Sequence, residues 1–194
     1  MTAKKHAGWT VWVGMVWMGM LCVAWGQAAE QPASPDAQEL IAQLDAKDVY
    51  ERQKAFLRLE ALREPATTPI LRDHLASRDP HTRAFSVRAL AAIEGVPSAA
   101  ALIDRLQHDR DPDVRLAAIL ALEPLQKQNP TIMPALIDAL RDRKSTVRLA
   151  AVDVVSRIDQ PEAKEALQVR WRRERHRDVR RVLEQSMTRA GLPK

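Results

Sequence analysis

The sequence predicts an all-α solenoid of about five two-helix repeats, and three observations carry that prediction. One arginine-bearing segment recurs five times at nearly constant spacing. Hydrophobic residues within each copy fall at helical intervals. Ala, Leu and Arg dominate the 194 residues, with Asp and Glu together supplying 25, and only two Phe and one Tyr are present. That composition favours helices packed through small side chains over a β-sheet core.

The five segments are DVYERQKAFLRLEAL from Asp48, PHTRAFSVRALAAIEG from Pro80, PDVRLAAILALEPL from Pro112, STVRLAAVDVVSRID from Ser145 and RDVRRVLEQSMTRAG from Arg177. Their shared arginines are Arg52, Arg83, Arg115, Arg148 and Arg180, at intervals of 31, 32, 33 and 32 residues. A fixed period of this size is the signature of a repeat architecture. In the fourth segment Val147, Ala150, Ala151, Val154, Val155 and Ile158 fall at i, i+3, i+4, i+7, i+8 and i+11, one stripe of a helix. Val114, Ala117, Ala118, Ala121, Leu122 and Leu125 repeat the stripe in the third, and Val179, Val182, Leu183 and Met187 in the fifth. Asp79-Pro80 and Asp111-Pro112 provide an N-cap oxygen followed by proline at the first helical position, where its missing N–H is harmless.

A shorter helix is predicted before each of these, with cores at 39–44, 69–75, 101–106, 135–140 and 165–169. The recurring L-I-x-x-L is again one helical face, and about four residues are left for the turn within each hairpin. Neither helix can bury its apolar face alone, whereas stacked neighbours bury a continuous core. The repeat domain is placed at 37–192, with repeats at about 37–64, 67–95, 98–126, 130–159 and 161–190. One and four residues after the shared arginine, the inner repeats carry Ala84/Val87, Leu116/Ile119 and Leu149/Val152. The last carries Arg181/Glu184 and the first Gln53/Phe56. Apolar inside and charged at the end is what a terminal repeat requires, so the array is expected to stop at the fifth copy.

The D-P-x-V-R-x-A-A-x-x-A-L pattern, clearest at Asp111–Leu122 and Thr146–Val155, resembles HEAT repeats of the short type found in phycobilisome lyases. The resemblance covers roughly residues 36–190. It implies an α-solenoid but little about activity, because HEAT arrays serve as scaffolds, adaptors and occasionally enzymes. A period near 32 is short for HEAT repeats. The W-x-x-L-G-x-x-Y and T-P-L-H signatures of tetratricopeptide and ankyrin repeats do not occur. Short HEAT-repeat hydroxylases hold iron through His-Glu pairs; no His-Glu dipeptide occurs here, so that role does not carry over.

Ahead of the repeats, Met1–Trp9 carries Lys4 and Lys5 and no acid, Thr10–Trp25 is uncharged, and Gly26-Gln27-Ala28 ends in small residues. Charged start, apolar stretch and small-x-small exit predict a secretory signal over 1–28. The apolar run is shorter than the ~20 residues of a spanning helix, although an uncleaved N-terminal membrane anchor is the alternative. Cys22, the one cysteine, follows Leu21 where a lipobox needs a small residue, and it lies in the leader, so the mature chain has no disulfide. Residues 29–36 (AEQPASPD) read as a flexible lead-in. The expected location is periplasmic or secreted.

The shared arginines allow two readings: a ligand-binding ladder, or ion pairs between repeats that brace the turns. A second group, Arg170, Trp171, Arg172, Arg173, Arg175, Arg177 and Arg181, is a candidate partner-binding patch. Residues 160–194 hold ten Lys and Arg against five Asp and Glu, whereas 29–159 hold 18 against 20. The patch suits an acidic protein or anionic envelope component, with Trp171 offering a cation–π contact; the alternative is a solvated polar cap. His74, His81, His108 and His176 lack metal-ligand spacing. No nucleophile constellation or phosphate-binding glycine motif can be assembled, so no catalytic, cofactor or metal residue is assigned.

These readings predict a non-catalytic exported scaffold or adaptor that binds another protein through its repeat surface. The alternatives are a lyase-type enzyme or subunit acting on a bound prosthetic group, and an electrostatic binder of anionic envelope components through the basic last repeat. No cofactor and no nucleic-acid partner are expected, and membrane contact only if the leader stays attached.

Overall fold

The computed structural model describes residues 32–193. The expected signal at 1–28, with Cys22, lies outside the described residues. Among the described residues ten α-helices form five hairpins. They are α1 Pro35–Gln43 with α2 Val49–Leu62, α3 Thr68–His74 with α4 Pro80–Glu94, α5 Ala99–His108 with α6 Pro112–Leu122, α7 Ile132–Ala139 with α8 Ser145–Val155, and α9 Pro161–Arg173 with α10 Arg177–Arg189. The first helix is the shorter in each hairpin except the last, where both have 13 residues.

Local sequence accounts for the helix starts. Asp48, Asp79 and Asp111 accept the backbone N–H groups of Tyr50, Thr82 and Asp113 at 2.7, 3.1 and 2.9 Å, satisfying donors that have no partner within the helix. Pro80 and Pro112 occupy the first turns, as the dipeptides predict. The lead-in is shorter than expected: Ser34 caps α1 by accepting the Ala37 N–H at 3.2 Å, and Pro35 opens the helix. The chain is tied down there, because Ser34 donates its N–H and hydroxyl to Glu64 at 2.6 and 2.7 Å. Between repeats the chain passes through single 3₁₀ turns at Pro65–Thr67, Val96–Ser98 and Glu123–Leu125. α4 ends on Gly95, whose φ of 63° and ψ of −129° suit a residue without a β-carbon. α2 ends on Arg63, which adopts the left-handed conformation despite its side chain, at φ 52°.

The hairpins stack side by side. Each second helix packs closely on the next, α2 on α4, α4 on α6, α6 on α8 and α8 on α10, while the first helices meet more sparsely. Small residues permit the close row: Ala55, Ala89, Ala117, Ala118, Ala121 and Ala151 are all buried along it. The L-I-x-x-L leucines (Leu40, Leu71, Leu102, Leu136, Leu167) plug the space between rows, four of them within 1 % of full burial and Leu40 at 6 %. Each such leucine stabilises the array by roughly 1.5–3 kcal/mol, and the apolar positions four residues after the shared arginines, Phe56, Val87, Ile119 and Val152, are buried as well. Among the described residues no helix is long and apolar enough to cross a membrane.

Candidate functional site

The shared arginines hold the repeats together. Arg83 gives Nε and Nη2 to Asp109 of the next repeat, both at 2.8 Å. Arg115 gives the same atoms to Asp142 at 2.7 and 2.8 Å, and Arg148 to Glu174 at 2.9 and 3.2 Å. Their remaining Nη1 atoms turn back onto the carbonyls of Ser77, Asp109 and Asp142, at 2.9, 2.9 and 2.8 Å. Asp109 and Asp142 therefore serve two arginines each, one through the carboxylate and one through the carbonyl. The first rung differs. The corresponding position holds Ser77, so Arg52 reaches Asp79 instead with a single bond of 2.9 Å, and its buried Nε has no partner.

These pairs are buried, with side-chain exposures of 5 and 2 % for Arg83 and Asp109 and 3 and 11 % for Arg115 and Asp142. Burial opposes charge on Asp109 and Asp142, yet hydrogen bonds from the arginines and from the amides of Asp111 and Lys144 outweigh it and hold both carboxyls below their usual range. At Glu174 the same opposition resolves further. Burial raises its pKa, but Arg148, the His176 amide and Arg170 together lower it to about 2. Buried, fork-to-fork and fully used guanidiniums are not free to take a ligand. The acidic partners were not singled out by the sequence pattern; their signal is a carboxylate 26 or 27 residues after each of the first four arginines, whereas Arg180 lies over Trp171 of its own repeat.

The basic C-terminal group divides. Arg170 is consumed by Glu174. Trp171 donates its Nε1 to Glu184 at 3.3 Å and lies under the Arg180 guanidinium, 5.1 Å from the ring centroid. Its cation–π contact is thus internal and closes the last repeat. Arg181 sits on the exposed side of α10 beside Asp178 at 3.3 Å. Arg172, Arg173, Arg175 and Arg177 are exposed, with no carboxylate within 4.0 Å among the described residues. Of the histidines, His74 is buried, its Nδ1 2.7 Å from the Ile70 carbonyl and its Nε2 3.3 Å from Asp45. His81, His108 and His176 are exposed on separate repeats. Among the described residues no group of three or more His, Cys, Asp or Glu is placed to hold a metal ion.

What remains open is the solvent side of the second-helix row. The second helices pack more closely on one another than the first do, as the inner row of an α-solenoid does. Among the described residues the large exposed apolar side chains lie on second helices: Val49, Tyr50, Leu57 and Leu62 on α2, and Leu120 on α6; Leu62 faces a groove shared with Asp36, Glu39 and Leu40 of α1. Leu57 and Leu120 occupy the same register, five residues after Arg52 and Arg115. Half-buried Leu116 on α6 and Leu149 on α8 add apolar surface beside Leu120, whereas Arg88 holds the same register on α4, between Leu57 and Leu120. Sequence periodicity marks these positions as apolar but does not reveal that they face water, because both sides of these helices carry apolar residues.

Comparison with known proteins fits this architecture. The HEAT-repeat family model matches residues 37–123 and 99–188. No curated protein matches the chain. Among solved structures, the complex of CpcE and CpcF of phycocyanin lyase from Nostoc sp. PCC7120 is similar at a TM-score of 0.66 and 24 % identity, covering 78 % of this chain and 97 % of the other. YibA of Escherichia coli is similar at a TM-score of 0.62 and 16 % identity, covering 98 and 67 %. An engineered protein is similar at a TM-score of 0.50 and 18 % identity, covering 81 and 86 %. At these identities the structures speak for the fold alone. The periodic stripes, the stacked hairpins and the family match over both halves of the array lead to one conclusion: this chain belongs to the HEAT-repeat family.

Proposed function

We propose that the protein is an exported, non-catalytic scaffold that binds another protein along its second-helix face. The observation that supports this most is the placement of the exposed apolar residues. Tyr50 is 68 % exposed, Leu57 43 % and Leu120 48 %, and they share the curved side of a solenoid, the surface such arrays use to grip a partner helix or extended segment. Exposed apolar residues mark an interaction surface, and here they alternate along one register with charges: Leu57, Arg88, Leu120 and Asp153. Export rests on the leader pattern at 1–28. The test is affinity isolation of the mature domain from its own envelope, in parallel with a Tyr50→Ser/Leu57→Ser/Leu120→Ser variant. One partner lost with the variant, at unchanged thermal stability, supports the reading; equal recovery by both overturns it.

A second reading, a subunit of a lyase acting on a prosthetic group, draws on the likeness to the phycocyanin lyase complex. A chromophore carried through purification of the native protein favours it over the scaffold.

A further inference from the structure

The turns within the hairpins carry a second periodic feature. The residue after each ladder position is a cation in every repeat: Lys47, Arg78, Arg110, Arg143 and Arg175. All five are exposed, and none has a carboxylate within 4.0 Å among the described residues. They form a physical row. Arg110 Nη2 reaches the Arg78 carbonyl at 3.3 Å, and Arg143 Nη2 reaches the Arg110 carbonyl at 2.9 Å. The guanidiniums of Arg110 and Arg143 thus cross to the preceding turn, while Lys47, Arg78 and Arg175 stand exposed beside them in the same row.

The charges that could offset this row differ between repeats: Asp111 and Asp113 flank Arg110, no acid follows Arg143 in the first turn of α8, and Asp178 follows Arg177 but pairs with Arg181. The carboxylates beside it, Asp109, Asp142 and Glu174, are already neutralised by Arg83, Arg115 and Arg148. The helix caps change as well. Asp48, Asp79 and Asp111 open the second helices of the first three repeats, but Lys144 and His176 stand at that position in the last two and make no side-chain cap. A cation at a helix N-terminus works against the helix dipole, where an acid helps. The fourth repeat therefore forgoes local stability and gains the charge of Lys144 on this edge, and the fifth gives up the carboxylate cap beside Arg175 and Arg177 while keeping Asp178 in the first turn. Such a departure from local preference points to a role outside the fold.

We propose that the hairpin-turn edge of the third to fifth repeats, centred on Arg110, Arg143, Lys144, Arg175 and Arg177, binds an extended acidic polypeptide segment. A line of cations advancing one turn per repeat fits a linear run of Asp and Glu, and arginine forks suit carboxylates. A lipid surface fits less well. The large exposed apolar residues that could enter it lie on α2 and α6, not in these turns. This edge is separate from the second-helix face, and the proposal stands without that reading.

The experiment measures binding of the mature protein to a poly-glutamate peptide of about 20 residues, a length that spans several turns if extended. Inorganic polyphosphate and phosphatidylglycerol vesicles serve as competing probes. Poly-glutamate is expected to bind with a steep loss of affinity on added salt. Arg143→Glu/Arg175→Glu is expected to weaken it by about tenfold or more, as removal of steering charge does. Lys127→Glu/Arg189→Glu, an equal charge change at exposed positions on the opposite edge, should leave it within about twofold if local charge rather than net charge decides. Arg143→Gln/Arg175→Gln repeats the test without reversed charge, and thermal melts establish folding. Absence of poly-glutamate binding, equal loss in both charge-reversal pairs, or binding confined to polyphosphate or vesicles overturns the proposal.

Discussion

The carboxylate of Asp142 accepts both Nε and Nη2 of Arg115, at 2.7 and 2.8 Å, across the boundary between the third and fourth repeats. Asp142→Ala leaves a guanidinium only 3 % exposed without its partner. Removing one member of such a pair is expected to cost about 3–5 kcal/mol. Asp178→Ala breaks the exposed pair with Arg181 and is expected to cost less than about 1 kcal/mol. Urea denaturation of the two variants measures the contrast; comparable losses would show that the ladder does not couple the repeats.

Glu174 makes the array sensitive to acid. Its folded pKa of about 2 lies below the ordinary value of 4.5, so its contribution is complete above about pH 4.5 and disappears as pH falls toward 2. The shift corresponds to roughly 3 kcal/mol over that window. Melts recorded between pH 5 and pH 2.5 should show a steeper decline for the native chain than for Glu174→Gln. Parallel curves would contradict the assignment.

Arg63 holds a left-handed conformation at the end of α2. Glycine adopts it without the β-carbon penalty, so Arg63→Gly is expected to raise stability by roughly 0.5–1 kcal/mol. Chemical denaturation at neutral pH checks the sign. At Gly95 the opposite change is expected to destabilise, since φ is 63° there.

Most of the fold was legible because the repeat advertises itself twice, in the arginine period and in the apolar stripes. α6 begins at Pro112 and α8 at Ser145, the residues where the aligned segments start. Less legible was what the arginines hold. Their acceptors lie in the following repeat, and they vary: Asp109 and Asp142 are in register, Glu174 substitutes a longer side chain, and Asp79 replaces the position taken by Ser77. The basic C-terminal run divides in space. Consecutive residues on a helix point in different directions, so Arg170 and Trp171 turn inward to Glu174 and Glu184 while Arg173 and Arg175 reach solvent. The row they join, through Arg143 and Arg110, is visible only once the turns are stacked.

The role of the second-helix face is open to a direct measurement. A photo-crosslinking amino acid placed at position 57 or 120, in cells making the full chain, should capture the same partner from both sites. The same probe at Gln107 or Glu162, exposed on the first-helix row, should capture none of it. Crosslinks to that partner from the first-helix sites, with none from 57 or 120, would contradict the account.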